Sequence, residues 1–121
     1  MFPKTSNKSM KQWDIVMFPF GKERRHPAVI ISNDETCLNP DIEEVNALLC
    51  TSARVNRVPK TTEEVLDEAD GLDWQTLVRC DKIHLLPKAR FADRKGSVTS
   101  DRRHLIARKI VEVLRLPIHR R

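Results

Sequence analysis

The sequence predicts a mainly β domain, a small and strongly curved antiparallel sheet or partial barrel with one C-terminal helix covering an opening. Three observations predict it. Short runs rich in Val, Ile, Leu and Phe recur between turn signals through most of the chain. One stretch near the end carries Ile106, Ile110, Val113 and Leu114 at helical spacing, with Leu105 widening the stripe. The 121 residues, 40% apolar and 32% charged, make one globular domain. Short strands followed by a single amphipathic helix fit a sheet that curls and is capped.

Residues 1–11 are polar, with three Lys and two Ser, and read as a flexible tail. The domain spans residues 12–117, and residues 118–121 form a basic C-terminal tail. Trp13 opens the first strand, which runs from Asp14 to Phe20. Val16, Phe18 and Phe20 share its core face by alternation. Pro19 marks an edge position or a bulge. The second strand, Ala28 to Ser32, follows a short basic hairpin loop from Gly21 to Pro27. Asn33 to Glu44 is polar, with a turn at Asn39-Pro40-Asp41.

The third strand, Val45 to Cys50, runs into Thr51-Ser52. Residues 54–60 read as loop, and Thr62 to Leu66 as a short strand with Glu63 and Glu64 exposed. Asp67 to Gly71 is acidic and turn-like. Thr76 to Cys80 continues through Asp81-Lys82 into Ile83 to Leu86, where Pro87 ends the run. Phe91 to Gly96 reads as loop and Ser97 to Thr99 as a last short strand. Ser100 is read as the N-cap of the helix, Asp101 complements its dipole, and Pro117 stops it.

Composition narrows the function. No run is long and apolar enough for a membrane span, and the N-terminus lacks the apolar segment of a secretory signal. Three Cys without Cys-x-x-Cys spacing read as reduced thiols of a cytoplasmic protein. His26, His84, His104 and His119 form no His-x-x-x-His pair, so no metal site and no cofactor is expected. Charge is segregated along the chain. Residues 1–32 carry six basic and two acidic groups, residues 33–75 three and eleven, and residues 76–121 thirteen and four. Basic ends of this kind favour phosphate backbones or acidic partners.

The chemistry-bearing groups gather at strand ends: Lys22, Arg24, Arg25 and His26 in the hairpin, Thr51 and Ser52 after the third strand, and Arg79 and Asp81 in the fifth. Each has an ordinary structural account as loop charge, turn former or surface ion pair. Brought to one rim, they make a set able to cleave RNA without metal. The substrate's 2′-OH attacks the adjacent phosphate, a carboxylate or imidazole takes its proton, and guanidinium groups stabilise the phosphorane.

The ordered series Asp14-Ile15-Val16, Phe18-Pro19-Phe20, Arg25 to Ser32, Thr51-Ser52, Gly71-Leu72 and Val78 to Ile83 resembles the MazF/PemK family of toxins. That resemblance implies an SH3-like barrel, a homodimer, cleavage of single-stranded RNA at short motifs without metal, and a partner antitoxin. It implies catalytic roles for Arg25, Thr51, Arg79 and Asp81, and RNA contacts for Lys22, Arg24, His26 and Ser52. The chain departs from the family where His26, not Arg, precedes the loop proline, and where Trp13 replaces the usual Gly before Asp14. Arg25 and His26 would point to opposite faces of an extended strand. The rival readings are a non-catalytic RNA- or antitoxin-binding member of the fold and a CcdB-like topoisomerase poison.

Overall fold

The computed structural model describes residues 9–19, 25–52 and 57–117. In chain order it holds β1 (Asp14–Pro19), β2 (Arg25–Ile30), a short helix α1 (Asp34–Leu38), β3 (Glu44–Ser52), β4 (Glu63–Leu66) and a 3-10 turn (Glu68–Asp70). There follow β5 (Thr76–Pro87), a second 3-10 turn (Lys88–Arg90), β6 (Arg94–Ser97) and α2 (Ser100–Leu114). The strands form one six-stranded antiparallel sheet in the order β4-β5-β3-β2-β1-β6. It curls into a half-barrel beside α2, the architecture the sequence predicts.

Alternation divides the apolar side chains between two cores. Val16, Phe18, Ala28, Ile30, Val45 and Ala47 fill one. Ile15, Val29, Leu48, Cys50, Val78 and Ile106 belong to the other, which lies under α2. The central strands bury apolar side chains on both faces, while polar groups reach solvent at the strand ends and along the middle of β5.

β2 begins at Arg25, three residues earlier than expected, so Arg25, His26 and Pro27 belong to a strand and not to the loop. The missing N–H of Pro27 costs nothing there. Its partner Met17 donates its own N–H to the Asp93 carbonyl on the opposite side, and β3 pairs β2 only from Ala28 to Ile30. Pro19 lies beyond the β1–β6 pairing, which stops at Val16, as an edge proline should.

Several further expectations are corrected. Residues 34–38 form a helical turn because Asn33 Oδ1 accepts the Thr36 N–H at 2.8 Å. The last strand is Arg94–Ser97 and not Ser97 to Thr99, because its polar side chains suit the outer edge of β1. Thr99, not Ser100, caps α2, without a side-chain bond; its N–H donates instead to Asp70 Oδ1 at 2.9 Å. Glu63 is buried at 6% exposure, held by partners described below. The helix stripe is buried at Ile106 and half-buried at Ile110 and Val113, whereas Leu105 and Leu114 are exposed. Arg115 ends the helix in a left-handed conformation, before Pro117 is reached.

The junction of β3 and β5 shapes the site. Leu48 faces Ile83 and Cys50 faces Val78, so Arg79, Cys80, Asp81 and Lys82 stand against Leu49 alone. β5 bulges there. On its outer edge β4 pairs only with Thr76 to Arg79. The strand is thus bent where it carries Arg79 and Asp81.

Candidate active site

Cross-strand neighbours share a face, so the register locates each candidate side chain. Cys50 and Val78 are paired and buried in the core under α2. Thr51 and Arg79, one step along each strand, therefore face the other way. Leu49 between them packs against the first core. Ala28 pairs with Leu49, and continuing that register sets His26 level with Thr51. His26, Thr51 and Arg79 thus share one face on three adjacent strands. The same continuation sets Arg25 level with Ser52 on the opposite face, where Arg25 Nη1 reaches Asp93 Oδ2 at 4.0 Å. Lys22 and Arg24 lie outside the described residues.

Arg79 and Asp81 form a two-point ion pair. Arg79 Nε donates to Asp81 Oδ1 at 3.3 Å and Nη2 to Oδ2 at 3.1 Å. The guanidinium side chain is 47% exposed. This pairing holds the Asp81 carboxyl below its usual range and raises the arginine. Asp81 is therefore a weak base with its partner in place, and Arg79 is a fixed cation, not a proton donor. Nη1 of Arg79 is left to meet an anion.

Two groups that the sequence reading passed over lie against this face. His84 pairs with the core residue Ala47 and so points to the Thr51 side. Burial, then Lys82 and Arg79, lower its pKa, so its imidazole is neutral at pH 7. Its place two residues from Lys82, in alternation with Leu86, was the available signal. Glu63 sits directly opposite Arg79 on β4. Its short strand looked like an exposed edge, and the sequence does not show that Arg57, six residues earlier, folds back onto it. Among the described residues, no three His, Cys, Asp or Glu side chains gather closely enough to hold a metal ion.

The molecule is thus a curled antiparallel sheet with a C-terminal helix, carrying hydroxyl, guanidinium, carboxylate and imidazole groups on one face. Residues 11–114 match the model of a family described as PemK-like, MazF-like toxins of type II toxin-antitoxin systems, and the chain belongs to that family. Several solved structures share the fold. One is an endoribonuclease in complex with its cognate antitoxin from a mycobacterial species, at 24% identity and TM-score 0.73, covering 91% of this chain and 99% of that one. Another is the Mycobacterium tuberculosis toxin MazF-mt6, at 19% identity and TM-score 0.71, covering 85% and 97%. A third is a MazE-MazF structure from Deinococcus radiodurans, at 18% identity and TM-score 0.70, covering 89% and 98%. No curated protein sequence matches.

Proposed function

We propose that this toxin is a cytoplasmic, metal-independent endoribonuclease that cuts single-stranded RNA at short motifs, acts as a homodimer and is neutralised by an antitoxin. The observation that carries the reading is the Arg79–Asp81 ion pair on the face shared by Thr51 and His26. The substrate brings its own nucleophile. Its 2′-oxygen attacks phosphorus, the bond to the 5′-oxygen breaks, and a 2′,3′-cyclic phosphate remains. Arg79 stabilises the negative charge that builds on the phosphoryl oxygens. Thr51 donates its hydroxyl to the same phosphate. Of the two candidate bases we assign the role to His26, because Arg79 engages both oxygens of Asp81. Asp81 then serves as the positioning residue that fixes the guanidinium. Solvent protonates the leaving 5′-oxygen. Arg25 and Ser52, on the opposite face, together with Lys22 and Arg24, contribute charge and hydrogen bonds along the RNA backbone.

The test is to incubate antitoxin-free protein with a long mixed-sequence RNA in excess EDTA and map the new ends. Discrete cuts with cyclic phosphate termini are expected. Arg79→Ala should lower the rate by about 100-fold or more, the scale of losing one preorganised oxyanion donor. Arg25→Ala should lower it by less than about tenfold, the scale of a peripheral charge. Intact RNA that is nevertheless bound would assign the chain instead to the non-catalytic members, a reading favoured by His26 standing where the family has arginine.

A further inference from the structure

The Arg79–Asp81 pair is not the only guanidinium held at two points on this face. Arg57 Nη1 donates to Glu63 Oε1 at 3.0 Å and Nη2 to Oε2 at 3.1 Å. The Glu63 side chain is 5% exposed and that of Arg57 41%. Lys60 N–H donates to Glu63 Oε1 at 2.8 Å, so the carboxylate accepts three hydrogen bonds. Gln75 Nε2 donates to the Arg57 carbonyl at 3.2 Å, which ties the backbone of Arg57 to the start of β5, where Thr76 pairs with Ser52. Arg57 is therefore fixed at both backbone and side chain, between the end of β3 and the Glu63–Arg79 cross-strand pair.

We propose that Arg57, gripped by the buried Glu63 beside Arg79, forms a second phosphate subsite that holds the RNA backbone next to the cleaved bond. The inference rests on the ribonuclease reading and names a residue that reading does not use. Glu63 and Arg79 are direct cross-strand partners, with Cβ atoms about 5 Å apart. Arg57 grips the Glu63 carboxylate and Arg79 stands across from Glu63 on the next strand, so the two cations are neighbours on this face. Of the five N–H donors on Arg57, Glu63 and Val58 take three, which leaves Nε and one Nη2 hydrogen for a ligand. Burying a carboxylate is costly, and an apolar side chain would tether the segment more cheaply. An ion pair kept here instead supplies an oriented cation whose arrangement cost is met on folding and not on binding.

The experiment measures binding of the full-length protein to a mixed-sequence 2′-O-methyl oligoribonucleotide, which lacks the attacking hydroxyl, across a salt series. Arg57→Gln should bind about tenfold more weakly at low salt, with the slope of log affinity against log salt shallower by about 0.7, the value for one phosphate contact on a single strand. Arg57→Lys keeps the charge and should keep the wild-type slope at reduced affinity. Glu63→Gln leaves the cation but loosens it, so affinity should fall with the slope unchanged. If Arg57→Gln lies on the wild-type line, the subsite is wrong and the pair is only a tether. A wild-type protein that does not bind the oligonucleotide overturns the ribonuclease reading together with the subsite. Circular dichroism of each variant separates these outcomes from loss of fold, and the Lys variant decides the matter if Gln unfolds.

Discussion

Trp13 has φ 75, in the left-handed region that side chains with a Cβ avoid. Its backbone has no choice. Its N–H donates to Ile30 at 2.6 Å, and its carbonyl accepts from Val98 at 3.0 Å, so the chain is pinned between β2 and the segment leading to α2. The glycine usual at this position in the family is explained by that geometry. The tryptophan endures strain of about 1–2 kcal/mol and recovers part of it by packing its ring against the core under α2. Trp13→Ala should lose the ring contact and keep the strain, whereas Trp13→Gly should lose the contact and relieve the strain. The glycine variant should therefore be the more stable of the two by about 1 kcal/mol in urea unfolding, and equal stabilities would show that the φ value is not strained. The side-chain type at position 13 was legible in the sequence; its backbone conformation was not, because it is imposed by two partners far away in the chain. At Glu63 the partners are near in the chain, yet the outcome was no more legible. Alternation assigned it a place on a short strand, but its burial depends on Arg57 and Lys60 folding over it.

Elements were legible wherever apolar periodicity was strong. β1, β3, β5 and α2 lie close to where the sequence puts them. The failures fall on elements held by polar contacts, α1 by the Asn33 cap and β6 by edge pairing; the turn expected at Asp67 to Gly71 is present, as a 3-10 turn at Glu68–Asp70 held by its acidic side chains. This last turn fixes the start of α2. Gly71 and Gly96 meet there so closely that a Cβ on Gly96 would lie 2.0 Å from the Asp70 carbonyl oxygen. Asp70, fully buried, receives the Thr99 N–H and the Arg102 guanidinium, and Arg102 also donates twice to Asp67. Arg102→Ala would leave Asp70 as a buried charge without its counter-ion, at a cost of about 3 kcal/mol. Chemical denaturation should report that loss. A loss under about 1 kcal/mol would mean that water replaces the arginine at no great penalty. The site follows the same division. Strand alternation foretold that Arg25 and His26 face opposite ways, and the structure sets them so. The bend that exposes Arg79 comes from a β5 bulge, which leaves no mark in the local sequence.

At the scale of the whole molecule, the charge segregation along the chain becomes a set of bridges between segments. The acidic middle does not lie apart from the basic end. Asp67 and Asp70 meet Arg102, and Glu64 meets Lys109 at 3.5 Å, so the middle segment is clamped to α2. Within the middle segment Arg57 neutralises Glu63. Folding this way concentrates ionised carboxylates on guanidinium partners, and it sets the sign of acid sensitivity. Asp67, bonded first to Arg102, and Glu63, bonded first to Arg57, titrate below their ordinary values of 3.8 and 4.5. A depressed carboxylate contributes stability above its unfolded pKa and loses it as the pH falls through the folded value. His84 adds a slope of the same sign at higher pH. Burial, then Lys82 and Arg79, hold it below 6.5, so the unfolded chain binds its proton first and stability rises with pH there too. Stability should therefore fall in two stages on acidification, a shallow one beginning near pH 6.5 and a steeper one below pH 4.5. Thermal melting across this range should show both. His84→Asn should flatten the first stage and leave the second, and Asp67→Asn should do the reverse while lowering stability at neutral pH. Parallel curves for wild type and His84→Asn between pH 7 and pH 5 would mean that the imidazole is equally protonated in both states, and hence that it does not lie against the cations of the Arg79 face.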